Sequence, residues 1–196
     1  MVGYVEYTYL QNMPLERKIE IYRQYLSYEV PCTIFCSLAS PDPEFLELAR
    51  RMPEARFLWF GWTDPHLIPQ EIRQAMEQAP ENVTFAGFVD RETLREAYCG
   101  ADVFAFMSHE ETEGIVILEA LACSTPTLVR DIPAYRGWLR DSVNVHTYRT
   151  TQDLPTRLQA LLQHKLPDTA AAARQTAEER ALPRIGAQLL ELYKTL

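Results

Sequence analysis

Short apolar runs alternate with amphipathic segments along most of the chain. The runs are rich in β-branched and aromatic residues, as strands are, and cover 32–38, 56–61, 83–87, 102–107 and 126–129. The segments between them carry apolar residues at helical spacing and cover 43–52, 68–79, 91–101 and 114–124. Near-continuous apolar strands separated by helices are typical of a parallel sheet covered on both faces. The pattern therefore predicts an α/β fold with a doubly wound parallel sheet.

Both ends of the chain are predicted to be helical. Apolar residues recur at helical spacing within 15–29, so residues 1–31 are interpreted as an N-terminal helical extension. Residues 144–148 are predicted to form a sixth strand at an edge of the sheet. Helices are predicted to follow at 151–165, 168–181 and 185–194, as a helical C-terminal tail. The domain itself is predicted to cover 32–196.

Composition and charge exclude several classes of function. The net charge of −8 opposes the concentrated basic face that general nucleic-acid binding requires, so no nucleic-acid partner is predicted. No apolar run reaches the roughly 18 residues of a membrane-spanning helix. The N-terminus also lacks the basic flank and apolar core of a signal peptide. These features predict a cytoplasmic protein.

Cysteine and histidine do not form a metal-binding motif. The cysteines lie in apolar surroundings without CxxC spacing, and we interpret all of them as reduced, buried residues. They are Cys32, Cys36, Cys99 and Cys123. The histidines are scattered and match no ligand set. No metal site is predicted.

The loop before the helix at 114–124 carries the candidate chemistry. Ligands of such sheets bind outside the carboxyl ends of the strands, where this loop begins. A helix that starts near Gly114 leaves the N–H groups of Gly114, Ile115 and Val116 as an anion site. Glu119 leans back over Ile115 and Val116, where it can accept two hydrogen bonds from a vicinal diol. Glu111 lies ahead of the helix, at the other end of the anion.

Other charged residues near this loop have simpler interpretations. Glu110 and Glu113 are interpreted as charges that favour the N-terminal end of the helix dipole. Glu119 has an alternative as a solvated residue on the helix face. Arg130 and Asp131 follow the strand run at 126–129 and either line the ligand site or form a surface ion pair.

The spacing of Glu111 and Glu119 within "EETEGIVILEALA" resembles the E-x7-E signature of the retaining GT-B glycosyltransferases of the GT4 type. The blocks "NVTFAGFVDRETLREAYCGADVFAFMS" (82–108) and "PTLVRDIPAYRGWL" (126–139) stand in the order and spacing of that family. The wording is most similar to bacterial diacylglycerol glucosyltransferases, which use UDP-glucose. The resemblance implies that 32–196 is the Rossmann-like, nucleotide-sugar (donor) binding domain, the C-terminal half of a GT-B enzyme.

The resemblance also implies roles for individual residues. Glu111 would contact hydroxyls of the transferred sugar, and Glu119 would hold the ribose diol. Main chain would bind the remainder of the donor: the sugar and diphosphate at Gly114, Ile115 and Val116, and the base at Gly87, Phe88 and Val89. Members of the family need no metal and no cofactor, so the donor substrate, UDP-glucose, is the expected small-molecule partner.

Two departures from the family pattern keep a second hypothesis open. The segment "SLASPDPEF" (37–45) has no glycine, Arg or Lys where the family places the cations that clasp the diphosphate. The acceptor-binding N-terminal domain of a GT-B enzyme also has no counterpart in the chain. It would be supplied by an N-terminal acceptor domain or a partner subunit, with peripheral membrane association through that partner.

The hypotheses are therefore of different classes. The first is an enzyme half that transfers a hexosyl group, from UDP-glucose, to a lipid or other acceptor with retention of configuration. The second is a degenerate, catalytically silent GT-B half that binds nucleotide or supports a partner. A GT-B sugar epimerase half is compatible with the fold alone. On either main hypothesis the isolated chain is expected to transfer no sugar.

Overall fold

A computed structural model describes residues 32–36, 43–64 and 66–194, with side chains from Glu44 onward. The predicted helical extension at 1–31 and residues 37–42 of the cation-free segment lie outside these ranges. The chain divides into two compact units, Met1–Ala101 and Asp102–Leu196, which we call the first unit and the second unit.

The first unit is built from β-α repeats. The middle strand, β2, pairs in parallel with β1 on one side and β3 on the other. The elements are β1 (Cys32–Cys36), α1 (Pro43–Arg51), β2 (Arg56–Phe60), α2 (Gln70–Glu77), β3 (Val83–Gly87) and α3 (Arg91–Gly100). Within the described ranges the predicted strands and helices of this region are confirmed, with ends that shift by two residues or fewer.

An aromatic cluster forms the core of the first unit. Phe45, on α1, is fully buried and packs edge-on against Trp59 of β2, with ring centroids 4.9 Å apart. Phe57 and Phe85 contribute further edge contacts to the same ring, at 6.1 and 6.4 Å. Aromatic pairs in this geometry stabilise beyond their area of burial. Helix α1 is thereby fixed on the strands.

Asn82 ties the end of α1 to the start of β3. Its Nδ2 group donates to the carbonyl oxygens of Ala49, Met52 and Ala55, at 2.9 to 3.0 Å. The carbonyls of Ala49 and Met52 also accept the N–H groups of Met52 and Ala55, at 3.3 and 3.1 Å, so the Asn82 amide is a second donor to each of them. Because three carbonyl oxygens converge on this amide, its place requires a donor.

We expect Asn82→Asp to lower the free energy of unfolding by about 2–3 kcal/mol, because it keeps the side-chain shape but replaces both donor hydrogens by an acceptor that faces carbonyls. Urea unfolding measures this loss. Gln78→Glu is the matched control, since it makes the same change on an exposed side chain. Equal stability of the two variants would contradict the role of Asn82.

The second unit repeats the parallel arrangement and ends in helices. Its strand β5 pairs in parallel with β4 and with β6. The elements are β4 (Val103–Phe106), α4 (Ile115–Ala122), β5 (Thr127–Arg130), a 3-10 turn (Pro133–Tyr135), β6 (His146–Tyr148), α5 (Asp153–Leu162), α6 (Ala170–Glu179) and α7 (Leu182–Lys194). The predicted strands at 102–107, 126–129 and 144–148 are confirmed. The α/β prediction with parallel strands therefore holds in both units.

The core of the second unit includes every residue of two strands. All four residues of β4 are buried, as are those of β5. Helix α4 buries Ile117 and Leu121 completely, and α5 does the same with Leu158. Strands that are covered on both faces are mostly apolar, as β4 is throughout, whereas β5 also buries Thr127 and Arg130.

Side chains bind the backbone N–H and C=O groups of Thr147 in the edge strand β6. The N–H of Thr147 donates to Oδ1 of Asp141 at 2.7 Å, and its carbonyl accepts from Nε of Arg157 at 2.9 Å. Arg157 and Asp141 also form an ion pair at 2.6 Å. Burial raises the pKa of the Asp141 carboxyl, but the Thr147 N–H and the Arg157 charge together hold that pKa below its usual value. The pair therefore stays ionised at neutral pH.

The cysteines differ from expectation in one respect. Cys99 is exposed and Cys123 is half-buried, and both are free thiols, so the prediction that all cysteines are buried is wrong. In α3 the buried face carries Ala97 and Tyr98, and Cys99 lies on the opposite side. Sequence hydrophobicity alone does not distinguish these faces.

None of the helices within the described ranges has the length and apolar character needed to cross a bilayer.

Candidate functional site

Gly114 sets the start of the helix that carries the candidate site. It has φ 66° and ψ 38°, the left-handed conformation that glycine adopts without strain. The carbonyl of Gly114 then accepts the N–H groups of Ile117 and Leu118, at 3.0 and 3.1 Å. Helix α4 therefore begins at Ile115, where the anion-site hypothesis requires it. Its first N–H groups have no partner within the helix.

Gly114 is closely surrounded by side chains, in addition to having the left-handed conformation. A Cβ at this position would lie 3.3 Å from two ring carbons of Trp138 and from Cδ1 of Ile117. The backbone at the helix start is therefore packed directly on an aromatic ring. Glycine fits this conformation without strain and this space without displacing Trp138 or Ile117.

Glu111 is held by its own loop. Its side chain is half-buried, and Oε1 accepts the N–H groups of Thr112 at 2.8 Å and Glu113 at 3.4 Å. Ser108 donates its hydroxyl to the carbonyl of Glu110 in the same loop. These bonds order the segment that precedes α4. Glu110 and Glu113 are exposed, as expected of charges at a helix entrance.

Glu119 lies on the solvent face of α4. The buried face carries Ile117, Ala120 and Leu121, whereas Glu119 is exposed together with Ile115 four residues earlier. Residues four apart share one face of a helix, so the carboxylate of Glu119 stands over the first turn. Val116 is half-buried beside them. The convergence of Glu111 and Glu119 on one ligand stays a prediction.

The residues proposed to contact a base lie in the first unit. Gly87 ends β3 with φ 70°, and its carbonyl accepts the N–H of Gly61 at 2.9 Å. Phe88 and Val89 follow and are half-buried. Asp90 then begins α3 by accepting the N–H of Thr93 at 2.8 Å, a regular helix cap. The segment has a defined main-chain path, and its role in base binding is untested.

Arg130 and Asp131 do not form the surface ion pair considered from the sequence. Arg130 is 7% exposed, donates from Nε to the carbonyl of Met107 at 3.3 Å, and lies 5.0 Å from the ring centroid of Tyr148. Asp131 instead pairs with Arg149 at 3.3 Å. Arg130 thus fixes the end of β4, from which the loop with Glu111 departs.

An aromatic pair that sequence reasoning left without a role supports the same loop. Tyr135 and Trp138 pack edge to face, with centroids 5.9 Å apart and an interplanar angle of 85°. The indole N–H of Trp138 donates to the carbonyl of Ala134 at 3.2 Å, and the guanidinium of Arg180 lies 4.8 Å from its ring. In the sequence, the sign of this pair is that two aromatic residues stand three positions apart within "PAYRGWL".

A polar cavity of about 560 Å³ lies elsewhere in the second unit. Its lining includes Asp131, Asp141, Arg149 and Arg157, whose charges already pair with one another. Neither Glu111 nor Glu119 lines it. In the ranges that the structure describes, no group of three His, Cys, Asp or Glu side chains is arranged to hold a metal ion.

Comparison with known families identifies the family of this chain. The family described as glycosyl transferases group 1 matches residues 43–164, which include the whole Glu111–Glu119 segment. This chain belongs to that glycosyltransferase family. A second description, HPr Serine kinase N terminus, matches residues 1–53, a short stretch that does not establish membership.

Two curated relatives are named as enzymes that add sugars to diacylglycerol lipids. The chain is 33% identical over 151 residues to a processive diacylglycerol alpha-glucosyltransferase of Acholeplasma laidlawii, covering 77% of this chain and 46% of the relative. It is 31% identical over 128 residues to an alpha-galactosylglucosyldiacylglycerol synthase of Streptococcus pneumoniae, covering 62% and 32%. The chain therefore spans less than half the length of these relatives.

Solved structures show the same fold. A sucrose-phosphate synthase from Thermosynechococcus elongatus superposes with a TM-score of 0.76 at 20% identity, covering 93% of this chain and 49% of that one. Anabaena HepE, solved in complex with UDP-glucose, gives a TM-score of 0.75 at 17% identity, covering 94% and 54%. Similarity at these identities shows the fold alone, and it confirms the predicted fold of a GT-B half.

Proposed function

We propose that this chain is the donor-binding half of a retaining glycosyltransferase that transfers a glucosyl group from UDP-glucose to a lipid acceptor without a metal. An N-terminal acceptor domain or a partner subunit supplies the acceptor site and brings the chain to the cytoplasmic membrane face. Membership of the glycosyltransferase family and the names of the glycolipid relatives support this proposal.

One observation carries the proposal: α4 begins directly behind a left-handed Gly114, with Glu111 ordered in front of it and Glu119 exposed one turn into it. The N–H groups of Gly114, Ile115 and Val116 suit a diphosphate, since a helix start favours negative charge. Glu119 suits a ribose diol and Glu111 suits sugar hydroxyls, because an ionised carboxylate is a strong acceptor. The main chain of Gly87, Phe88 and Val89 is assigned to the base.

Calorimetric titration with UDP and with UDP-glucose, in the presence of a chelator, tests the proposal. We expect micromolar binding of both, and Glu119→Ala should weaken UDP binding about tenfold because two charge-assisted hydrogen bonds are lost. Glu113→Ala is the matched control, since it removes the same charge from an exposed side chain near the same helix start. Absence of binding at millimolar UDP, or equal affinity of the two variants, would exclude the donor site.

A catalytically silent half that binds nucleotide is the second candidate. It is favoured by the segment 37–45, which has no Arg or Lys to stabilise a departing diphosphate. On this alternative the chain binds UDP but shows no turnover of UDP-glucose even with the acceptor-binding partner present. Turnover in that reconstituted system favours the first candidate.

A further inference from the structure

Tyr135 places a polar group where the fold offers it nothing to bind. The side chain ends the 3-10 turn after β5 and is only 5% exposed. Its hydroxyl is fully buried and has no hydrogen-bond partner among the residues that the structure describes. Buried phenol hydroxyls almost always have one. An unsatisfied hydroxyl in a packed turn indicates that its hydrogen bond forms only when a ligand is bound.

Glu111 is the charged group that acts on this hydroxyl. Burial raises the pKa of Tyr135 far above its usual value, and the negative charge of Glu111 raises it further. The phenol therefore remains protonated, and able to donate, at every physiological pH. Glu111 in turn uses only Oε1 for the N–H groups of its loop. Within the described ranges, Oε2 accepts no hydrogen bond.

The packing holds the two residues in a common frame. Tyr135 packs edge-on against Trp138, at 5.9 Å between centroids. Trp138 lies 3.3 Å from the position that a Cβ of Gly114 would take. Gly114 closes the loop that begins at Ser108 and contains Glu111. These contacts connect the turn with Tyr135 to the start of α4, which directly follows the loop with Glu111.

We propose that Tyr135 is a positioning residue of the donor site, whose hydroxyl donates to Oε2 of Glu111 when a nucleotide sugar is bound. This rests on the proposed function, in which Glu111 meets the hydroxyls of the transferred sugar. With Oε1 held by the loop and Oε2 held by Tyr135, the carboxylate has one orientation, and its remaining lone pairs face the sugar. The residue thus acts on the sugar end of the donor and leaves the nucleotide end unaffected.

Tyr135→Phe tests this, because it removes the hydroxyl and keeps the ring. We expect UDP-glucose affinity to fall about tenfold while UDP affinity changes less than about twofold. In a Glu111→Gln background the same substitution should change UDP-glucose affinity less than about twofold, since paired residues are not additive. Without ligand the variant should melt at the same temperature or higher, because the hydroxyl stabilises nothing in the free protein. Tyr193→Phe, at an exposed tyrosine, is the control.

The outcomes separate this inference from the proposed function. If the wild type binds UDP-glucose and Tyr135→Phe binds it equally well, the role of Tyr135 is wrong and the donor site stands. The role is also wrong if both ligands weaken equally, if the effects of the two substitutions add, or if the free variant loses stability. If the wild type binds neither ligand, the proposed function fails, and the inference fails with it.

Discussion

Gly114→Ala should lower the free energy of unfolding by about 2–5 kcal/mol and abolish binding of UDP-glucose. A non-glycine residue in the left-handed conformation costs about 1–2 kcal/mol, and forcing a methyl group into a packed site costs about 1–3 kcal/mol. Both terms apply here, since φ is 66° and the new Cβ would lie 3.3 Å from Trp138 and Ile117. Relief of that contact displaces the start of α4 and with it the proposed anion site. Urea unfolding and calorimetry measure the two effects.

Gly87→Ala separates the two terms. Gly87 has nearly the same φ, 70°, but no atom lies within 4 Å of its Cβ position. Gly87→Ala should therefore lose only the conformational part, about 1–2 kcal/mol. If both alanine variants lose the same stability, the packing of Trp138 on Gly114 contributes nothing.

Arg130→Ala should lower the free energy of unfolding by about 3–4 kcal/mol. The change removes a donor from the carbonyl of Met107, takes a cation from the face of Tyr148, and leaves a cavity in a buried part of the second unit. Because Met107 directly follows β4, the loop with Glu111 should also lose order. Urea unfolding gives the first effect, and amide hydrogen exchange of 108–114 gives the second.

Arg130→Lys is the control that keeps the charge. Lysine lacks both the Nε donor and the planar face that stacks on an aromatic ring. We therefore expect it to recover about half of the loss. Wild-type stability for the lysine variant would show that only the charge at this position matters.

Most of the fold was predictable because the strands are buried on both faces. Runs such as "VFAF" of β4 have no polar position, and each residue of that strand is buried in the structure. Element ends were less predictable, because they depend on individual residues. Helix α7 begins at Leu182, earlier than the predicted 185, since Pro183 is tolerated in the first turn of a helix. Helix α2 begins at Gln70, later than the predicted 68, with Pro69 as its N-terminal cap residue.

The site was predictable only where its residues are close in sequence. Glycine followed by an apolar helix predicts the start of α4, and the structure confirms that start. Trp138 and Arg130 lie far along the chain from Gly114 and Met107, and their contacts with these two residues arise from the fold. A sequence pattern shows which residues are apolar or charged. It does not show which of them meet across two loops.

The occupied edge of β6 has a consequence for self-association. A strand edge with unpaired N–H and C=O groups is a template on which a second chain can add a strand, and fibrils grow by that step. At Thr147 both groups are already bound, one by Asp141 and one by Arg157. A second chain must first break this ion pair before it can add a strand at Thr147. Because the pKa of Asp141 is below its usual value, this protection persists in mildly acidic solution, where many proteins begin to aggregate.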